Sequence, residues 1–220
     1  MLKLPQCGKN TSGGEDALRQ FRTLKNQPIV STALVVVNIL VFVLGTFYSG
    51  EIFDMGMLKP YHILERKEYG RILWAVFLHG DVNHLLSNMF ILFFLGAMIE
   101  KEVGHVSYAI LYFLSGIGGN LFSLIIKVAT NDISASLGAS GAIFGLDGVL
   151  LAMVLFSGRK MENVTPIRVL LMIVCSLYSG LRGANIDNAA HIGGLVTGFV
   201  SAAVMCVFKR FQRKWQTGSI

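Results

Sequence analysis

Six apolar stretches alternate with polar ones along the chain. The first, Ile29 to Tyr48, is apolar over about one bilayer thickness, which a helix crosses in ~20 residues. Five more follow at about His84 to Ile99, Val106 to Lys127, Ala139 to Phe156, Ile167 to Leu181 and Ala189 to Phe208. The pattern predicts an all-α membrane protein, a compact six-transmembrane-helix bundle. The second and fifth stretches are short, so tilt or local bilayer thinning is expected there. Asn38 is the one strongly polar residue of the first stretch and is expected to face another helix.

The intervening segment Ser49 to Gly80 is too charged to span and too apolar for a simple linker. It mixes Glu51, Asp54, Lys59, Glu65, Arg66, Lys67, Glu68 and Arg71 with Ile52, Phe53, Met55, Leu73, Trp74 and Phe77. It reads as a structured loop with short helices lying against the outer membrane surface. Three regions are therefore expected: a cytoplasmic polar leader at 1–28, the helical bundle at 29–208 and a basic cytoplasmic tail at 209–220. A short leader helix is expected from Glu15 to Lys25. The leader does not resemble a cleaved signal peptide, because its apolar run comes late and no small-residue cleavage pattern closes it.

Composition supports the membrane assignment. Charged residues make up 15% of the 220, against about 25% in a soluble domain. The net charge of +6 raises the possibility of nucleic acid, but the basic residues cluster beside the apolar stretches. That placement suits the cytoplasmic flanks of membrane helices, so the expected partner is the lipid bilayer and not nucleic acid. Six spans put both termini on one side. That side carries 13 Lys and Arg and the other carries 6, which makes it the cytoplasmic side. Cys7, Cys175 and Cys206 lie far apart and suggest neither a disulfide framework nor a zinc knuckle.

With this topology spans two, four and six all enter from the outer face. His84 and Asn88 then lie in the first turns of span two, Ser140 opens span four, and His191 lies near the start of span six. All four share a depth just below the outer surface.

Ser140 sits in the run Leu-Gly-Ala-Ser-Gly-Ala-Ile-Phe-Gly, Leu137 to Gly145. Small neighbours leave its hydroxyl reachable, and it can act as a nucleophile if a base lies nearby. The same small residues also suit plain helix packing. His191 is followed by Gly194 and Gly198 on its own helix face, and Gly141 and Gly145 repeat that spacing. Pairing the two glycine faces would bring His191 to Ser140 as a base. A histidine satisfied by a backbone carbonyl at the interface is the alternative. Phe144, one turn after Ser140, would stack on the imidazole or simply pack.

His84 and Asn88, four apart on one helix face, both offer N–H donors. With the backbone N–H of Ser140 they could hold an oxyanion. They could equally be polar groups of a helix start meeting water or headgroups. His79 is a third donor or makes a hydrogen bond within the loop. A zinc site from His79, His84 and His191 lacks a completing Cys or carboxylate, so no metal or cofactor is expected. Glu100 lies a full span from Ser140 and should cap or hydrogen-bond. Arg71 should organise the loop. Asp187 and Asn188 both precede the last helix, so no carboxylate is placed to orient His191, and a Ser–His dyad is more economical than a triad.

Together these residues resemble the rhomboid intramembrane serine proteases. The family's G-x-S-G stands here as Gly138-Ala139-Ser140-Gly141. The last-span histidine and its small followers match His191, Gly194 and Gly198. The second-span pair matches His84 and Asn88, with His79 ahead of it, and Glu100 matches a glutamate at the end of that span. The resemblance covers about Ile29 to Phe208. Two departures stand out: Gly70 precedes Arg71 where the family often has Trp, and Phe144 stands where it often has Tyr. The resemblance implies cleavage of transmembrane protein substrates near their outer end, by a Ser140–His191 dyad through an acyl-enzyme, with His84, Asn88 and the Ser140 N–H as the oxyanion site. The expected form is a monomer in a bacterial plasma membrane, both termini cytoplasmic. A non-enzymatic relative that guides membrane proteins and a small transporter are the competing classes. A binder has no need of a nucleophile and base, and no evident internal repeat or pair of broken helices points to a transporter.

Overall fold

The structure is a computed structural model that describes residues 27–47, 51–158, 164–182 and 186–216. The leader, including the expected helix at Glu15 to Lys25, lies outside the described residues apart from its last two.

Among the described residues the chain is helical and contains no strand. Helix α1 is Ile29–Phe47. The loop region holds α2 (Glu51–Gly56), α3 (Pro60–Leu64), α4 (Arg71–Trp74) and a 3-10 turn at Ala75–Phe77. Then come α5 (Val82–Val103), α6 (His105–Thr130), α7 (Ser140–Phe156), α8 (Pro166–Arg182) and α9 (Asn188–Gln216). Helix is the local solution that lipid imposes, because backbone groups in hydrocarbon must be satisfied within the segment. The chain is an integral membrane protein. Helices α1, α5, α6 and α9 are long and apolar enough to cross a bilayer, while α7 and the apolar part of α8 are shorter.

The second span differs from expectation. Helix α5 runs 22 residues, so no tilt or thinning is needed to let it cross. It continues through Glu100 because that carboxylate is fully partnered inside the bundle. Glu100 accepts the backbone N–H groups of Val30 (2.8 Å) and Ser31 (2.8 Å), the Ser31 hydroxyl (2.6 Å) and the His105 ring at 2.5 Å. The N–H groups belong to the first turn of α1, which have no intrahelical acceptor. One side chain thus caps α1 from a neighbouring helix. The last helix also runs beyond Phe208 to Gln216, through residues expected to form the tail.

The apolar faces point outward as lipid requires. Leu86, Phe90 and Phe94 form an exposed stripe at four-residue spacing along α5. Helix α7 is the opposite case. Twelve of its 17 residues are buried, which makes it the central helix. Asn38 of α1 is fully buried, with its amide donating to the Leu34 carbonyl at 2.8 Å.

The loop region is organised around Arg71, which is 6% exposed. Its guanidinium donates to Glu68 (2.5 Å) and to the carbonyls of Asp54 (2.6 Å) and Met57 (3.1 Å), and it contacts the His62 ring at 3.0 Å. The guanidinium beside Glu68 holds that carboxyl below the usual carboxylate range. Leu58, Ile63 and Ala75 pack with Leu124 of α6. This seats the loop over the C-terminal end of α6, next to the segment that leads into α7.

Candidate active site

Ser140 is the first residue of α7, and the segment before it is held on several sides. Leu58 and Ser136 exchange backbone hydrogen bonds at 2.9 and 3.0 Å, and the Gly138 N–H donates to the Ala75 carbonyl at 2.8 Å. Lys127, buried at the end of α6, donates to Asp132 (3.1 Å) and the Ser134 hydroxyl (2.7 Å). Bonds from the Ser134 backbone N–H and hydroxyl, and then from Lys127, hold the exposed Asp132 carboxyl down at about 2.

The approach of α7 and α9 is set by glycine. A Cβ on Gly194 would lie 1.9 Å from the Gly141 carbonyl oxygen, and one on Gly198 would lie 2.1 Å from that of Gly145. The two backbones are therefore in contact at both pairs, which only residues without a side chain permit. This contact brings His191 Nε2 to 2.9 Å from Ser140 Oγ. At that separation the hydroxyl donates to an unprotonated ring nitrogen. Phe144 lies parallel to the imidazole, with centroids 4.2 Å apart and planes 14° apart. The ring is 6% exposed and held from one face.

Gly138 is at φ +133°, where a side chain is strained. A Cβ there would lie 2.9 Å from His84 Cε1, 3.0 Å from His84 Nε2 and 3.5 Å from Ser140 Oγ. The space beside Gly138 is thus shared by the serine hydroxyl and the His84 ring. Gly138→Ala is expected to fill it and to reduce serine reactivity about 100-fold, the scale on which one misplaced contact acts. Comparing fluorophosphonate labelling rates of the two proteins checks this, and parental labelling would count against it.

Asp81 sets the start of α5. Its side chain accepts the His84 N–H at 2.9 Å as an N-cap, which fixes His84 in the first turn and Asn88 one turn deeper. Asn88 is 6% exposed, and its amide nitrogen has no hydrogen-bond partner among the described residues. His79 lies in the loop just ahead of α5, next to the Phe77 backbone. It is fully buried, packs edge-on against His84 with centroids 5.1 Å apart, and neither ring nitrogen is bonded among the described residues. Burial, then the neighbouring His84, push its imidazole down to about 3. The Phe77 backbone and the Asp81 charge act the other way without offsetting burial, so His79 is neutral at neutral pH. Among the described residues no three His, Cys, Asp or Glu side chains gather closely enough to hold a metal ion.

Sequence reasoning passed over Asp81, although Asp three residues before His84 is an N-cap signal. It also passed over the bonds of Asp187, which depend on residues over 50 positions away. Asp147, two turns below Ser140 on the same face, is 4% exposed, and no role follows from its surroundings.

Comparison with known proteins follows the same lines. Residues 66–208 match the family model of the Rhomboid domain. RHOMBOID-like protein 4 of Arabidopsis thaliana is 36% identical over 155 residues, covering 70% of this chain and 38% of the plant protein. RHOMBOID-like protein 6, mitochondrial, of the same plant is 31% identical over 197 residues, 88% of this chain and 59% of its own length. Rhomboid protease GluP of Bacillus subtilis (strain 168) is 32% identical over 147 residues, 67% of this chain and 28% of the bacterial protein. The chain thus spans between 28% and 59% of the length of these three relatives.

Proposed function

The chain belongs to the rhomboid family, and from that premise we propose that it is a serine endopeptidase that cuts transmembrane segments of other membrane proteins near their outer end. The observation that carries this reading is the 2.9 Å contact between Ser140 Oγ and His191 Nε2. A nucleophile and a base at that separation, on different helices, have no use in a binder.

His191 takes the proton of Ser140 as Oγ attacks a backbone carbonyl of the substrate. The negative charge that develops is met by three donors: the Ser140 N–H, His84 and Asn88. Two observations support this set. Ser140 opens α7, so its N–H has no intrahelical acceptor, and the Asn88 amide nitrogen is buried without a partner among the described residues. His191 then returns the proton to the leaving amine, an acyl-enzyme forms, and water releases it. Phe144 holds the imidazole by stacking where a phenol is absent.

Depth follows from length. Helix α7 has 17 residues and spans about 25 Å, against ~30 Å of hydrocarbon. Its first residue therefore lies below the surface, and water must reach it through a polar-lined opening to the outside. The substrate must unwind locally, because a hydrogen-bonded helix hides its carbonyls. Segments with Gly, Pro or small residues near the outer boundary are preferred, with a small residue before the cut.

In this reading residues 29–208 form the protease domain, working as a monomer, and residues 1–28 and 209–220 lie in the cytoplasm by the excess of basic residues. The bacterial plasma membrane remains the proposed location, although matched relatives include a plant protein whose name places it in mitochondria.

The test is to reconstitute the protein with a model transmembrane substrate and compare it with Ser140→Ala. Cleavage and fluorophosphonate labelling that both vanish in the variant support the reading. A variant that cuts as well as the parent removes Ser140 as the nucleophile.

A further inference from the structure

We propose that Asp187 is a positioning residue for the Ser140–His191 pair, a single carboxylate that joins the first turn of the helix carrying the imidazole to the segment leading into the serine. The proposal rests on the protease reading of that pair.

Asp187 immediately precedes α9. Its carbonyl accepts the His191 N–H at 3.2 Å, and its Oδ1 accepts the Ala190 N–H at 2.9 Å. It is thus the N-cap of the turn in which His191 sits. Its other oxygen, Oδ2, accepts the Ser136 hydroxyl at 2.5 Å and the Ser123 hydroxyl as well. Hydroxyl-to-carboxylate bonds are charge-assisted and stronger than neutral ones. Ser123 lies on α6, and Ser136 lies four residues before Ser140. Ser136 is itself fixed by its backbone pairing with Leu58. The carboxylate therefore connects three elements, and two of them carry the reacting groups.

This connection does what the glycine contacts do not. Gly141 against Gly194 and Gly145 against Gly198 set how closely α7 and α9 approach. Together with the Ala190 carbonyl, which lies against Gly119 and Gly141, they fix the spacing of the helices, and the Asp187 carboxylate adds the bonds that close the first turn of α9. His191 is only one turn from the start of α9, so fraying there would swing the imidazole. Asp187 makes no hydrogen bond to the ring, because His191 Nδ1 has no hydrogen-bond partner among the described residues. Its hydrogen bonds near the ring are to the backbone of the turn.

Asp187→Ala, Asp187→Asn, Ser136→Ala and Ser140→Ala in the full chain, reconstituted with a transmembrane substrate, test this. Labelling rate with a fluorophosphonate, kcat, KM and the melting transition are read for each. Asp187→Ala should lower kcat and labelling about 100-fold with KM unchanged, as misplacement of about 1 Å does. Asp187→Asn keeps an acceptor for the Ala190 N–H and an amide for the hydroxyls, so it should recover to within about threefold of the parent, Asn and Asp being equal caps. Ser136→Ala, which leaves the cap intact, should lose about 10-fold by loosening one arm of the connection. Parental rates in Asp187→Ala, or an Asn variant no better than Ala, would overturn the proposal. Should Asp187→Ala fail to fold, Ser136→Ala decides, and a parental labelling rate there overturns it. A parent that does not label, or labelling that survives Ser140→Ala, defeats the protease reading instead.

Discussion

Replacing His191 with alanine is expected to lower cleavage of a transmembrane substrate on the order of 10⁴- to 10⁶-fold, the range seen when one member of a serine–histidine pair is lost. A serine hydroxyl is a poor nucleophile until a base takes its proton, and His191 is the base within reach, at 2.9 Å. What remains would be the contribution of the oxyanion donors and of substrate positioning. The change should leave the fold in place. The ring packs against Phe144 at 4.2 Å, but the helices around it are held by backbone contact at the glycines. Initial cleavage rates in proteoliposomes, with a melting curve in parallel, check both halves. A residual rate within tenfold of the parent would mean that another group serves as the base.

Gly194→Ala should act on stability and activity together. The added methyl would sit 1.9 Å from the Gly141 carbonyl oxygen, an atom of the central helix backbone that cannot turn aside. Helices α7 and α9 would have to separate. Overpacking of this kind costs about 1–3 kcal/mol, and more where backbone is the obstacle. Separation by about 1 Å would also carry His191 away from Ser140, with a loss of about 100-fold in rate. Gly80→Ala is the control. A Cβ there meets nothing nearer than Leu137 Cδ1 at 3.9 Å, an ordinary contact. Melting temperatures and fluorophosphonate labelling of the two variants should therefore diverge. Equal behaviour would show that α7 and α9 do not depend on contact at Gly194.

Much of this was legible in the residues. The apolar runs gave the spans because lipid leaves the backbone no alternative to helix. The glycine faces gave the pairing of α7 and α9 because close approach excludes side chains, and that exclusion is written at four-residue spacing in Gly141, Gly145, Gly194 and Gly198. Glu100 was placed correctly as a hydrogen-bonding group, yet its partners, the first N–H groups of α1, could not be read from its own neighbourhood. That omission made the second span look shorter than it is. Three charged residues in a row resemble the end of a helix unless one of them is known to be satisfied by another segment.

Sequence by itself thus determined the class of fold, the order of the spans and which serine and histidine face each other, because each rests on a local rule about side-chain size or apolar length. Tertiary structure alone decided the left-handed backbone at Gly138, the edge-on packing of His79 against His84, and the carboxylate of Asp187 shared among α6, α9 and the approach to Ser140. Each of these joins residues distant in the chain. A hydrogen bond or a backbone angle of that kind is settled by the meeting of several segments, and no single segment carries it.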